Sequence, residues 1–310
     1  MSQKILVFGA GVLGSLYSAY LHEAGFDVRL LARGRRLQEI YSQGVILQHA
    51  FSGNRIVSHV QVVETLSPSD NYDYIIVLVR KNQLEDVLKI VGKNEKTPNI
   101  LIMVNNATGY QSWIEAVGRQ RLMMGFAGAG GAIENGVVTY ALAPAFFQPT
   151  TLAELDGHES ARLKEIKQIF RQAGFPVAIT SNMDAWQKTH VAWVSPLAQA
   201  IYRAERDGVP LSSSKYILKL TVEAIRESFD VLEKLGVAIT PPRLMFWKRL
   251  PAWLLAESLA MYARTTHFRT LVLRHSLAAR DEMKQLADEF SALARIAEHP
   301  TPALERLIRG

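Results

Sequence analysis

Residues 4–14 read Lys-Ile-Leu-Val-Phe-Gly-Ala-Gly-Val-Leu-Gly, and this stretch decides the fold of the first half of the chain. The short apolar run that ends at Phe8 is typical of a buried strand, and Val12–Ala24 is predicted to be a helix. Between them lies the G-x-G-x-x-G spacing of dinucleotide-binding turns, formed by Gly9, Gly11, Val12, Leu13 and Gly14. In such turns the first glycine permits the tight turn, the second lets a pyrophosphate approach the backbone, and the third lets the helix pack on the strand. We therefore expect a dinucleotide at the N-terminus of this helix.

The residues after the second predicted strand, Asp27–Ala32, indicate which dinucleotide. A site for NAD usually has an Asp or Glu there, which binds the ribose 2′-hydroxyl. This chain instead has Arg33-Gly34-Arg35-Arg36, and a guanidinium can bind a 2′-phosphate through paired, charge-assisted hydrogen bonds. The sequence thus predicts NADP(H) as the cofactor, with Arg33 on the phosphate. The alternative is that these arginines form a solvated loop, since arginine is commonly exposed.

The pattern of the whole chain predicts two domains. Residues 1–180 alternate short β-branched runs with helical stretches, which is typical of a mostly parallel sheet with crossover helices. Asn135-Gly136 predicts a hairpin turn within this half. Helical periodicity dominates from residue 181 onward, over 186–202, 214–235, 250–264 and 270–296. We expect an α/β Rossmann domain (1–180) that binds NADP(H), followed by an all-α domain (181–310) for substrate binding and dimerisation.

Composition narrows the function classes. The 310 residues are 48% hydrophobic and 21% charged, which is ordinary for a folded soluble protein, and there is no cysteine to form a disulfide or act as a thiol nucleophile. The net charge of +6 is spread along the chain, so a basic enzyme for an anionic cofactor and substrate is favoured over a nucleic-acid-binding protein. The short apolar run at residues 5–8 is not typical of a signal peptide, so we expect none, and the most apolar stretch, 250–262, is too short to span a bilayer. We expect a cytoplasmic protein without a membrane segment, and no His, Asp or Glu cluster has metal-ligand spacing.

Several short motifs make the sequence similar to the ketopantoate reductase (2-dehydropantoate 2-reductase) family. They are the opening Lys4–Gly14 with Leu30-Leu31-Ala32-Arg33-Gly34, Arg80-Lys81-Asn82-Gln83, Asn105-Asn106-Ala107, Trp186-Gln187-Lys188 and Arg280-Asp281-Glu282-Met283. The resemblance spans nearly the whole chain and is strongest before residue 160. It implies a Rossmann domain joined to a helical domain, and reduction of a small 2-oxo acid or related carbonyl compound by NADPH.

The resemblance also implies roles for individual residues. Lys188 matches the family's general acid, which protonates the alkoxide, and Glu282 matches an acidic residue that contacts substrate or orients the lysine. Arg80 stands where the family has a lysine that contacts the cofactor, and Asn106 matches an asparagine expected near the nicotinamide. Thr270 stands about where the family has a serine that binds substrate.

The chain departs from the family pattern at three positions. Its loop reads Asn105-Asn106-Ala107 where the family has Gln-Asn-Gly, and Ala192 replaces an asparagine one helical turn after Lys188. His190, two residues after Lys188, is either a second polar group of the site or an ordinary structural histidine. These differences leave three functions open: a reductase with a substrate other than ketopantoate, an opine- or hydroxyacid-type dehydrogenase, and a non-catalytic NADP(H)-binding sensor.

Overall fold

A computed structural model describes residues 3–309, which fall into two units. The N-terminal unit comprises the chain up to Val104 together with Tyr110–Met183. The C-terminal unit comprises Asn105–Gly109 and the chain from Asp184 onward. A short loop from the first half of the sequence therefore groups with the second unit, which the sequence did not predict.

The described part of the N-terminal unit, from residue 3 onward, contains twelve strands and five α-helices. The strands are β1 (Lys4–Phe8), β2 (Asp27–Leu31), β3 (Val45–His49), β4 (Arg55–Ser58), β5 (Gln61–Val63), β6 (Tyr74–Val77), β7 (Asn99–Ile102), β8 (Leu122–Phe126), β9 (Ala129–Glu134), β10 (Val137–Leu142), β11 (Thr150–Ala153) and β12 (Val177–Ile179). The helices are α1 (Val12–Glu23), α2 (Gly34–Gln43), α3 (Leu84–Val91), α4 (Gln111–Val117) and α5 (Ala161–Gln172).

The larger sheet has eight strands in the order β12-β11-β8-β7-β6-β1-β2-β5. All neighbouring pairs are parallel except β8 and β11, so the predicted mostly parallel sheet is confirmed. Central β1 pairs with β2 on one side and β6 on the other, and Ile5, Leu6 and Val7 are fully buried. Burial on both faces explains why β1 is a continuous apolar run rather than an alternating one.

A smaller four-stranded sheet has the order β4-β3-β10-β9. Its β9–β10 hairpin turns at Asn135 and Gly136, as predicted, and both residues have the positive φ angles (50° and 80°) that a type I′ turn requires. Gly131 also lies in this hairpin. Only glycine fits at this position, because a Cβ there would be 2.1 Å from the Thr139 carbonyl oxygen. For Gly131, close approach of strands explains the glycine without a cofactor.

The C-terminal unit is all helical over 184–309, which confirms the predicted fold class. Its helices are α6 (Met183–Arg206), α7 (Lys215–Lys234), α8 (Phe246–Arg249), α9 (Ala252–Ala263), α10 (Thr266–Phe268), α11 (Arg274–Ala278), α12 (Arg280–Ile296) and α13 (Pro302–Arg309). The core of the unit includes Val222, Ile225 and Phe229 of α7 and Leu286 and Phe290 of α12. No helix among residues 3–309 combines the length and apolarity needed to cross a membrane.

The single helix predicted over 270–296 is wrong. A π-helical turn at Arg269–Leu273 precedes α11, and the backbone leaves the helical region at Ala279 (φ −124°, ψ 41°) before α12 begins. Hydrophobic periodicity does not detect such a break because the residues on both sides keep apolar side chains at helical spacing. Glu282 consequently lies in the first turn of a new helix, where the helix dipole favours a carboxylate.

Candidate active site

Two positions of the glycine loop after β1 accept only glycine. Gly9 has φ +110°, and a Cβ on it would be 2.5 Å from the Leu78 carbonyl oxygen. A Cβ on Gly14 would be 1.6 Å from the Gly9 carbonyl oxygen, so α1 could not pack against the turn. Gly11, in contrast, has open space where a Cβ would be, and α1 begins directly after it. This arrangement fits a dinucleotide, because a phosphate can approach Gly11 and the free backbone N–H groups of the first turn.

The glycine loop lies at the topological switch point of the large sheet. The chain leaves β1 towards β2 on one side and reaches β6 on the other, and open α/β sheets bind ligands beside the carboxyl ends of two such strands. Arg80 follows β6 at this edge, is exposed, and precedes a short 3₁₀ turn at Lys81–Gln83. Its backbone N–H donates to Gln83 Oε1 at 3.3 Å. Arg80 therefore lies at the sheet edge where open α/β sheets generally bind ligands.

The three arginines after β2 have different surroundings. Arg33 is exposed, and its guanidinium lies 6.0 Å from the centre of the Phe8 ring at the end of β1. The Arg35 side chain is 92% exposed and pairs with Glu39 at 3.2 Å. The Arg36 side chain is only 16% exposed and hydrogen-bonds to Ala10 and Ser15 of the glycine loop and α1. Of the three, Arg33 is the one that is exposed beside the end of β1, and its binding of a 2′-phosphate stays a prediction.

In the C-terminal unit, Lys188 lies on α6 with its side chain 16% exposed. Its Nζ donates to Oδ2 of Asp184, one helical turn earlier, at 2.6 Å. Asp184 was not predicted as a partner, although acid–base pairs four residues apart are a recognisable signal on helices. The carboxylate of Asp184 therefore holds the ammonium group of Lys188 in one orientation.

His190 lies on another side of α6 and contacts a different residue. Its ring stacks on Trp186 with 5.6 Å between ring centres and 7° between ring planes. Burial lowers the pKa of His190 to about 3, and the charge of nearby His275 lowers it further in the same direction. His190 is therefore a neutral imidazole at physiological pH, which argues against an imidazolium acid at this position.

Glu282 is 3% exposed and has a hydrogen-bond partner that the sequence did not predict. Nδ2 of Asn105 donates to Glu282 Oε1 at 3.1 Å, across 177 residues of sequence. The other end of the same amide, Oδ1 of Asn105, is buried and has no hydrogen-bond partner among residues 3–309. Buried polar atoms without a partner are costly, so this acceptor is a candidate for binding a ligand donor.

Asn106 is 2% exposed, and its amide is engaged inside its own loop. Nδ2 donates to the Gly109 carbonyl oxygen at 2.7 Å, and Oδ1 accepts from the Thr108 hydroxyl at 3.0 Å. These bonds give Asn106 a role in shaping the loop that carries Asn105. Its contact with a nicotinamide stays a prediction.

Thr270 and Ala192 are both buried in the C-terminal unit. Thr270 lies in the π-helical turn at Arg269–Leu273, a backbone feature that is frequent at functional sites. Ala192 is fully buried and belongs to the apolar core of the unit. Among residues 3–309, no group of three or more His, Cys, Asp or Glu side chains could hold a metal ion.

Comparison with known proteins gives one consistent family. The sequence model of ketopantoate reductase PanE/ApbA matches residues 5–156. The chain is 24% identical over 250 residues to the 2-dehydropantoate 2-reductase of Pyrococcus horikoshii, covering 78% of each chain. It is 27% identical over 211 residues to that of Archaeoglobus fulgidus, covering 67% of each.

Solved structures share the fold across nearly the whole chain. The 2-dehydropantoate 2-reductase of Geobacter metallireducens has a TM-score of 0.76 at 18% identity, covering 98% of this chain and 97% of that one. A ternary structure of D-mandelate dehydrogenase with NADH and anilino(oxo)acetate has a TM-score of 0.74 at 18% identity, covering 98% and 96%. The family model and the curated relatives show that the chain is a divergent member of the ketopantoate reductase family, an oxidoreductase that acts on a carbonyl or CH–OH group.

Proposed function

We propose that this enzyme reduces a 2-oxo acid or a related carbonyl compound to the corresponding alcohol, with NADPH as the cofactor. The observation that carries the proposal is the hydrogen bond from half-buried Asn105 to buried Glu282. Its unpartnered acceptor, Oδ1 of Asn105, suits a ligand donor such as a substrate hydroxyl or a nicotinamide amide. A polar group of this kind, in the unit that also carries Lys188, is typical of a small-molecule site rather than of a packed core.

The proposed chemistry needs one hydride and one proton. When bound, the reduced nicotinamide supplies the hydride that adds to the carbonyl carbon. Lys188 then gives its Nζ proton to the alkoxide oxygen, and Asp184 keeps the ammonium oriented before that transfer. Glu282 contacts substrate or orients the lysine, Thr270 contributes to substrate binding, and the ring of neutral His190 is a further candidate contact.

The preference for NADP(H) rests on Arg33. It is exposed shortly after β2, at the position where NAD sites usually have an Asp or Glu for the ribose 2′-hydroxyl. Two structural neighbours are D-mandelate dehydrogenases with NADH, but at 17% and 18% identity they share only the fold with this chain. We assign Gly9, Gly11, Val12, Leu13 and Gly14 to the pyrophosphate. Arg80 and Asn106 are assigned to the nicotinamide half.

We further propose a cytoplasmic homodimer in which residues 1–180 bind the cofactor, and 181–310 bind substrate and contribute to the dimer. Trp253 and Met261, both on α9, have exposed fractions of 69% and 62%. Large exposed apolar side chains on one element are typical of contact surfaces, so α9 is a candidate for the dimer contact.

The test combines cofactor titration with turnover. Intrinsic fluorescence should show NADPH binding at least about tenfold tighter than NADH, because a charge-assisted pair with phosphate is worth roughly 1.5–3 kcal/mol. Arg33→Ala should remove most of that preference, and the wild type should oxidise NADPH with at least one member of a 2-oxo acid panel. Equal affinity for both cofactors would contradict the NADP assignment. Tight NADPH binding without turnover on any member would favour a non-catalytic sensor.

A further inference from the structure

The Arg36 side chain makes four hydrogen bonds around the glycine loop. Its Nε donates to the Ala10 carbonyl oxygen at 3.3 Å, and Nη2 donates to Ser15 Oγ at 3.1 Å. Nη1 donates to Glu39 Oε2 at 3.2 Å and to the Gly136 carbonyl oxygen at 3.1 Å. The guanidinium thus joins four parts of the N-terminal unit: the glycine loop, α1, α2 and the β9–β10 hairpin.

The Ala10 carbonyl is held by two donors. Besides Arg36, the Ser15 hydroxyl donates to the same oxygen at 3.2 Å, and Ser15 Oγ is itself the acceptor for Arg36 Nη2. Three hydrogen bonds therefore form a closed ring among the Ala10 carbonyl, the Ser15 hydroxyl and the Arg36 guanidinium. All three nitrogens of the guanidinium are engaged with protein acceptors.

Holding this carbonyl fixes the direction of a backbone donor. The Ala10 carbonyl and the Gly11 N–H belong to one planar peptide, and in a trans peptide the two groups point in opposite directions. With the carbonyl directed towards Arg36, the Gly11 N–H is directed away from it. Gly11 is also the position where a Cβ would meet open space.

We propose that Arg36 is a positioning residue, which holds the Ala10–Gly11 peptide in the orientation that receives the dinucleotide pyrophosphate, while Arg33 recognises the 2′-phosphate. The inference rests on the proposed cofactor site. It separates two arginines of one short motif, because the pyrophosphate is present in both NADPH and NADH, whereas the 2′-phosphate is present only in NADPH. A lysine could not replace Arg36, since its single ammonium cannot reach all four of these separated acceptors.

The experiment compares Arg36→Ala with Arg33→Ala in titrations with NADPH and NADH. Arg36→Ala should weaken both cofactors by the same factor, about tenfold, which leaves their ratio unchanged. Arg33→Ala should weaken NADPH alone. ADP and 2′-AMP separate the two phosphates directly: Arg36→Ala should weaken ADP and spare 2′-AMP, and Arg33→Ala should do the reverse.

Arg35→Ala is the matched control, because it removes the same charge from the same helix and the same Glu39 partner without touching the loop. It should bind both cofactors as the wild type does. Arg36→Lys keeps the charge and serves if the alanine variant does not fold; it should also bind both cofactors more weakly than the wild type. Wild-type affinity in Arg36→Lys, unchanged affinity in a folded Arg36→Ala, or loss of NADPH binding alone would each overturn the proposal. A wild type that binds neither cofactor would instead refute the proposed function.

Discussion

Lys188 and His190 lie two residues apart on α6, and their contacts assign them different chemistry. Lys188 is a charged donor held by Asp184, whereas His190 is a neutral ring stacked on Trp186. Because protonation of a developing alkoxide typically contributes about 10²–10⁴ in rate, Lys188→Ala should lose that much kcat while NADPH affinity stays near wild type. Steady-state kinetics beside fluorescence titration measures both quantities. If His190→Ala were the inactive variant and Lys188→Ala nearly normal, the assignment of the acid would be wrong.

The depressed pKa of His190 also predicts how stability depends on pH. The folded-state pKa is about 3, against 6.5 for an unperturbed histidine, so between these values only the unfolded chain binds a proton. Stability from this group is therefore complete above pH 6.5 and falls as the pH decreases towards 3, by roughly 2 kcal/mol at pH 5. The charge of His275 acts on the same ring and lowers its pKa in the same direction.

Urea unfolding at pH 7 and pH 5 measures this effect. His190→Gln cannot titrate, so its loss of stability between the two pH values should be smaller than that of the wild type. The comparison uses the pH dependence rather than the absolute stability, because the variant also loses the stacking on Trp186. An equal pH dependence in both proteins would show that His190 is protonated in the folded state.

At the scale of the elements, the loop after β7 is hydrogen-bonded to the first turn of α12. Asn105 donates to Glu282, and Asn106 shapes the loop that presents Asn105. Removing a donor from a buried carboxylate typically costs about 1–3 kcal/mol, so Asn105→Ala should lower kcat/KM about tenfold or more. NADPH affinity should change much less. Asn105→Gln is the control, because it keeps the amide and restores the residue type that the resembling family has; it should recover most of the activity. Full activity in Asn105→Ala would remove Asn105 from the site.

The elements that could be predicted from the sequence are those with a local signal. The β1 turn, α1 and the Asn135-Gly136 hairpin each depend on residues within about fifteen positions of one another, and all three are present. The helix α2 and the strands β3 to β5 were not predicted. Strand β4, Arg55–Ser58, is largely exposed, so it has no continuous apolar run. The break at Ala279 also lacked a signal, because neither glycine nor proline marks it.

At the scale of the whole molecule, the candidate site could be predicted only as separate motifs. The motifs named Lys188 and Glu282, but their partners Asp184 and Asn105 were found from the structure. The contact of Asn105 with Glu282 joins residues 177 positions apart, and nothing local in the sequence encodes such a pairing. No role for Arg36 could be predicted from the sequence, because its burial and its hydrogen bonds are visible only in the structure.

The last prediction concerns the substrate: the enzyme should be a poor ketopantoate reductase and prefer a less polar carbonyl compound. Ala192 stands where the resembling family has an asparagine, one turn beyond Lys188, and it lies in an apolar core. Losing one polar contact costs about 1–3 kcal/mol, which is roughly ten- to a hundredfold in kcat/KM. NADPH oxidation should therefore be faster with an apolar 2-oxo acid than with ketopantoate, and Ala192→Asn, if it folds, should narrow that difference. The opposite result is a kcat/KM for ketopantoate of about 10⁴ M⁻¹s⁻¹ or more that exceeds every other compound. That result would mean that another side chain makes the polar contact that the family's asparagine makes at the position of Ala192.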